Sequence, residues 1–269
     1  MSDSQQMSFW EHLDDLRRVI FRIVIVMAVI SVTSFVAMPW MFDNVIMAPC
    51  SGSFVTYGLF DRAAAAVGLQ GELVTDPSFR VDIVSLELTS QLFVHLSAAF
   101  WVAFVVGFPI IIYLLWGFVA PALYDHEKHG AVRAFLFGNI MFYLGVAVGY
   151  FLVFPLAVRF LADYQLSSAI RPIVSLESYM DNFFMLLVMM GAVFELPLLA
   201  WLMGRMGILT RDFFGKYRRH AIVALMIVAA FITPTGDPFT LFIVFIPIYA
   251  LWEMSARLVP SPKPEAAES

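Results

Sequence analysis

Leu88–Tyr124 reads LTSQLFVHLSAAFWVAFVVGFPIIIYLLWGFVAPALY, 37 consecutive residues without an Asp, Glu, Lys or Arg. A helix needs roughly 20 such residues to cross the hydrocarbon core of a bilayer. The run is long enough for two crossings, yet no polar turn divides it. Gly107 and Pro109 near its centre instead predict one long helix with a kink. Outward from this stretch the pattern repeats. Ile23–Phe42 is a charge-free run of 20, Ala134–Val158 one of 25, and Asn182–Gly204 spans 23 residues with Glu195 as its only charge. His220–Gly236 gives 17 and Pro238–Trp252 gives 15. Fifteen residues rise only about 22 Å against a core of about 30 Å, so the last two runs predict short spans that thin the bilayer locally.

The predicted fold class is therefore an all-α membrane protein with six transmembrane helices. The spans are expected at 23–42, 89–121, 134–158, 179–203, 219–234 and 238–254, within one transmembrane domain over 23–258. An N-tail, 1–22, precedes it, and a polar tail with no expected order, 259–269, follows it. Composition agrees: 61% of the residues are hydrophobic and 14% charged, with a mean hydropathy of +0.84. A soluble domain would keep about a quarter of its residues charged. The net charge of −5 and the lack of a basic patch interleaved with aromatics exclude a nucleic-acid role. Cys50 is the sole cysteine, so neither an internal disulfide nor a thiolate metal site is expected, and no cofactor is implied. No short apolar core with a small-residue cleavage site opens the chain, so span one is expected to be retained.

Lys and Arg fix the orientation. With the N-terminus in the cytoplasm, only Arg62, Arg80, Arg159 and Arg171 of the 16 basic residues lie outside. The N-tail, the second and fourth connections and the C-tail, all inside, hold the rest, as the positive-inside rule requires. Both termini are thus expected in the cytoplasm.

Four features carry chemistry. Ser8–Phe9–Trp10–Glu11 has capping-box spacing, so a helix should begin near Phe9. Phe9, Leu13, Leu16 and Ile20 then recur at helical spacing, with Glu11, Asp15 and Arg18 on another face, as in an amphipathic helix on the inner membrane surface. Such acids either pair with neighbouring arginines or bind something. Second, Asp125 and Glu127 occupy the second connection, on the side where bases are favoured. A carboxylate takes a guanidinium through two parallel hydrogen bonds, so Asp15 and Glu127 together could accept a basic peptide; the alternative is ordinary loop solvation. His126–Glu127–Lys128–His129 is no zinc-protease motif, because its histidines stand three apart where four are needed. Third, Glu195 lies deep in its span, at a cost of roughly 2.5–3.5 kcal/mol or more if ionised and alone. It must be protonated, paired or facing a wet or protein-lined cavity, with His95, Gln91, Asn139 and Thr233 as candidate polar neighbours. Fourth, Thr233–Pro234–Thr235–Gly236–Asp237–Pro238 predicts a hairpin in which Asp237 caps the sixth helix or meets a partner.

These residues resemble a known family, the C subunits of the twin-arginine protein translocase (TatC), over nearly the whole chain. The resemblance rests on His12–Leu13–Asp14–Asp15–Leu16–Arg17, on Pro109 with Tyr113 and Trp116, and on Phe118–Val119–Ala120–Pro121–Ala122–Leu123–Tyr124 with Glu127 beyond. Phe154–Pro155–Leu156, Phe194–Glu195–Leu196–Pro197, Thr233–Pro234 with Asp237, and Pro247 with Tyr249 and Glu253 complete it. It implies a cupped six-helix bundle with two short last helices, in the bacterial cytoplasmic (inner) membrane. It further implies a non-enzymatic role: recognition of signal peptides with paired arginines on folded cargo, with transport driven by the protonmotive force. Asp15 and Glu127 would face the arginine pair, with Arg17 and Phe118 beside them, and Glu195 would be the buried acid. Thr233, Pro234 and Asp237 would belong to the docking region for the single-span subunits TatA and TatB, in a complex with several copies of this chain. The sequence departs from the family pattern in having Asp15 for a usual Glu, Val19 for a frequent base, and Leu114 and Leu241 for frequent Gln. Gly236 adds a residue to its turn, and Phe54–Gly71 reads as an extra short helix in a long first connection. The rival reading from another class is an ion-coupled secondary transporter using Glu195, but the inverted repeats it needs are not seen. A membrane-embedded enzyme is poorer still, for lack of converging His, Asp or Ser groups.

Overall fold

The computed structural model describes residues 9–66, 79–119, 128–164, 167, 173–233 and 236–259. Helix α1 (Phe9–Met41) runs unbroken through both the expected surface helix and span one. No glycine or proline interrupts residues 9–38, so nothing stops the helix between them. A π-helical turn (Phe42–Ile46) and a 3₁₀ turn (Ala48–Cys50) end it. Next come α2 (Val55–Ala66), strand β1 (Ile83–Val84) and α3 (Ser90–Val119), with Pro109 inside α3 as the sequence predicts. Helix α4 (Lys128–Val148) passes through a second π-helical turn (Gly149–Val153) into α5 (Phe154–Asp163). Strand β2 (Val174–Ser175) leads into α6 (Leu176–Val193), then α7 (Leu196–Arg205), α8 (Arg211–Lys216), α9 (Arg218–Ile232) and α10 (Pro238–Leu258).

Among the described residues, five segments are long and apolar enough to cross a membrane: Leu13–Cys50, Ser90–Phe118, Ala134–Asp163, Leu176–Arg205 and Pro238–Leu258. The protein is thus an all-α, multi-pass membrane protein. The expected fifth span corresponds to α9, whose 15 residues reach only about 22 Å. Helix α10 is longer than its charge-free run suggested, at 21 residues, because Glu253 and Arg257 are carried inside the helix instead of ending it.

The described chain forms two compact units. The first comprises α1 as far as Pro39, α3 from His95 and α4 to Asn139. Within it α1 and α3 lie close: a Cβ on Gly107 would come within 3.1 Å of Ile30 Cδ1. His95 stacks on Phe35 with ring centroids 3.8 Å apart, and its Nε2 hydrogen-bonds the Phe35 carbonyl at 2.9 Å.

The second unit holds everything else described, and in it α4 crosses α6 closely. A Cβ on Gly145 would sit 2.5 Å from the Met190 carbonyl oxygen, and one on Gly191 2.7 Å from the Phe142 ring. Lipid-embedded helices associate through such small residues because hydrocarbon gives no hydrophobic drive between them. Phe142, Met190, Phe154 and Val153 are buried around this crossing. Where α1 ends, three tyrosines bind backbone carbonyls of its irregular exit. Tyr150 Oη donates to Val45 O at 2.8 Å, Tyr179 Oη to Ile46 O at 2.5 Å, and Tyr57 Oη to Pro49 O at 2.8 Å and Pro155 O at 3.2 Å. Burial pushes the Tyr57 hydroxyl well above the ordinary phenol range, so it stays a donor. Strands β1 and β2 pair in parallel, Ile83 opposite Val174, and the Ser90 hydroxyl donates to the Glu177 carboxylate. These contacts start α3 and α6 side by side.

Candidate functional site

Of the four expected peptide-binding residues, Asp15, Arg17 and Phe118 fall in the first unit. Asp15 stands on α1, half-buried, two turns into the helix, and Arg17 is exposed beside it. The Asp15 carboxylate meets Arg18 Nη1 at 3.6 Å, an i, i+3 pair whose side chains are 46% and 72% exposed. Exposed pairs of this kind contribute about 0–1 kcal/mol, so Arg18 holds the Asp15 carboxylate only weakly. Phe118 is half-buried next to the end of α3. Asp15, Arg17 and Phe118 therefore belong to one compact unit. Glu127 lies outside the described residues, as do Asp125, His126 and Pro234.

Glu195 sits in the second unit, at a break in a membrane-spanning segment. Helix α6 stops at Val193, Phe194 and Glu195 form a turn, and α7 starts at Leu196. Pro197 causes the break, since it has no N–H to give the Val193 carbonyl. The glycine crossing fixes its position: the Cβ-less face of Gly145 lies against Phe194, 2.8 Å from where a Cβ would stand. Glu195 Oε1 is buried with no hydrogen-bond partner among the described residues. Of the polar neighbours expected for it, His95 bonds the Phe35 carbonyl, Asn139 Nδ2 that of Phe135 at 2.8 Å, and Thr233 Oγ1 that of Ala229 at 3.0 Å.

The turn before α10 follows its expected chemistry. Asp237 is the N-cap of α10, its carboxylate accepting from Thr240 N–H at 2.7 Å. Gly236 adopts a left-handed φ of 61°, which a glycine takes without strain. Thr233 is buried. At the opposite ends of α9 and α10, sequence reasoning missed a lock. Arg218 Nε donates to Tyr249 Oη at 3.1 Å and to Glu253 Oε1 at 2.7 Å, while Tyr249 Oη donates to the same Glu253 oxygen at 2.9 Å. The available signal was that Tyr249 and Glu253 stand four apart and so share a helix face. No group of three or more His, Cys, Asp or Glu able to hold a metal occurs among the described residues.

Comparison with known proteins identifies the architecture. A family model described as Sec-independent protein translocase protein (TatC) matches residues 11–247. The Sec-independent protein translocase protein TatC of Blattabacterium sp. subsp. Periplaneta americana is 28% identical over 254 residues, covering 94% of this chain and 95% of that protein. The protein of the same description from Campylobacter jejuni is 33% identical over 186 residues, or 68% of this chain and 76% of that one. A crystal structure of the twin-arginine translocase receptor TatC in DDM superposes with a TM-score of 0.73 at 27% identity, over 93% of this chain and 100% of that chain. None of these supports the transporter reading of Glu195. The chain belongs to the TatC family of Sec-independent protein translocase proteins.

Proposed function

We propose that this protein is the receptor of a twin-arginine translocase, binding the paired arginines of signal peptides on folded cargo and nucleating the transport complex. It is a translocase component and not an enzyme. Family membership over residues 11–247, together with an Asp15 carboxylate that Arg18 meets only loosely at 3.6 Å, carries the reading. In it, Asp15 and Glu127 accept the two guanidinium groups, each through parallel charge-assisted hydrogen bonds, while Arg17 and Phe118 border the peptide. The shorter side chain of Asp15 suits a peptide held close to α1.

The site works on the cytoplasmic side of a bacterial inner membrane, with both termini there and the protonmotive force as the energy source. Single-span TatA- and TatB-type subunits dock on α9 and α10, and several copies of the chain assemble in the receptor complex. Thr233, Pro234 and Asp237 serve docking by shaping the α9–α10 turn: Thr233 is buried and Asp237 is engaged as a cap. Glu195 is the buried polar group around which the spans can admit a polar segment of the passenger.

The test is binding of a twin-arginine signal peptide to detergent-purified protein, against a twin-lysine control. The expected result is a clear preference for arginine that Asp15→Ala or Glu127→Ala removes. Equal binding of both peptides, unaffected by either substitution, sinks the assignment.

A further inference from the structure

Helix α2, the extra helix of the long first connection, has two unlike faces. Thr56 and Tyr57 are buried, while Val55, Leu59, Arg62 and Ala66 form an outward stripe at i, i+4, i+7 and i+11. Val55 is 67% exposed and Leu59 56%. Twelve residues rise about 18 Å, so α2 cannot cross a bilayer. What covers its apolar stripe depends on the depth at which α2 sits, and that depth can be derived.

The segment Ala134–Asp163 has 30 residues and a length of about 45 Å, roughly 15 Å more than the hydrocarbon core. Its last turns carry Arg159 and Asp163, ion-paired at 2.8 Å, and charges of this kind stay out of hydrocarbon. The excess, about ten residues, therefore lies at the Asp163 end, and the hydrocarbon boundary falls near Phe154. Helix α2 is fastened at this level. Tyr57 Oη donates to Pro155 O, and Phe54, just ahead of α2, meets Tyr150 edge-on at 5.6 Å and stacks on Phe151 at 6.1 Å. The exposed ring of Trp40 stands in the last turn of α1, just before Val45, whose carbonyl takes the Tyr150 hydroxyl. Trp and Tyr gather at membrane–water interfaces because one part of each ring is apolar and the other polar. An exposed Val and Leu at that depth face acyl chains, and an Arg one turn further along the stripe reaches the phosphates by its long stem.

We propose that α2 is an interfacial helix, lying in the bilayer surface at the end of the molecule where α1 terminates. Val55 and Leu59 enter the acyl-chain boundary and Arg62 contacts lipid phosphate. The occupant of the stripe is lipid, and the inference stands independently of the peptide-receptor reading.

The experiment places a nitroxide label on Val55→Cys, Leu59→Cys, Arg62→Cys and Ser53→Cys, one at a time, in full-length protein in phosphatidylethanolamine–phosphatidylglycerol vesicles. Cys50 is buried and stays in place, the parent protein treated in parallel giving the background. Collision with oxygen, which partitions into lipid, is compared with collision with a water-soluble nickel chelate. The expected oxygen-to-nickel ratio is several-fold higher at Val55 and Leu59 than at the exposed Ser53, with Arg62 between them. Ratios at Val55 and Leu59 equal to that at Ser53 place α2 in water and overturn the proposal. Protection of the stripe from both reagents means that protein covers it, a partner or a second copy, and overturns it equally. Exposed cysteines at four positions leave the buried face intact, and an unchanged unfolding temperature for each labelled variant confirms that the native fold is being read.

Discussion

Segments Leu13–Cys50 and Leu176–Arg205 are both long apolar spans, but 17% of the first is buried in protein and 56% of the second. The first carries Asp15 and Arg17 near its start, where Arg17 is exposed and the Asp15–Arg18 ion pair is loose. The second carries Glu195 behind a glycine contact too tight for a methyl group. In the function proposed above, recognition and architecture fall to different helices. A span that faces lipid along most of its length can present a binding residue whose replacement does not disturb packing. A span surrounded by protein can hold a carboxylate that lipid would reject.

The contrast can be broken most directly at the glycine crossing. Gly145→Val forces side-chain atoms into the Met190 carbonyl and the Phe194 ring; a loss of about 3 kcal/mol or more is expected, read as a lower unfolding temperature in detergent. Next in size is Tyr179→Phe, which leaves the Ile46 carbonyl without its buried donor and should cost about 1–3 kcal/mol in the same assay. Arg218→Gln removes the clamp on Tyr249 and Glu253 at an exposed site. A smaller shift is expected there, with faster amide hydrogen exchange confined to the adjoining ends of α9 and α10. Smallest of all in stability is Asp15→Ala, below about 1 kcal/mol, although it should abolish the preference for arginine over lysine peptides. If Asp15→Ala unfolds the protein as readily as Gly145→Val, the division between the two helices is wrong.

Charges made most of the fold legible. Runs without Asp, Glu, Lys or Arg, or with Glu195 alone, overlap each of the five long apolar segments among the described residues, since hydrocarbon excludes those charges whatever the tertiary structure. Asp237 could be read as a cap because the interaction is local, reaching only three residues to Thr240. Helix α10 runs on to Leu258, past the expected span end at 254, and Glu253 within it has Arg218 and Tyr249 to answer it. The α4–α6 crossing had a signal, Gly145 and Gly149 spaced as in small-residue helix contacts, but the partner helix is set only in three dimensions. Of the candidate site, Asp15, Arg17 and Phe118 could be named from motifs and fall in one unit, with Glu127 outside the described residues. The tyrosine ties were not legible at all, because a hydroxyl choosing a carbonyl across the chain leaves no periodicity behind.

Those ties also set an order of events. The bonds to the exit of α1 from Tyr150 and Tyr179 join residues 105 and 133 apart in sequence. A ribosome adds about 5–20 residues per second, so the last of them cannot close until roughly 7–27 s after its carbonyl has left the peptidyl-transferase centre. During that interval the end of α1 has been made but not fastened, and insertion must tolerate open carbonyls there. The first helix to enter the membrane is therefore among the last to be locked, and its seating waits for α6 to arrive.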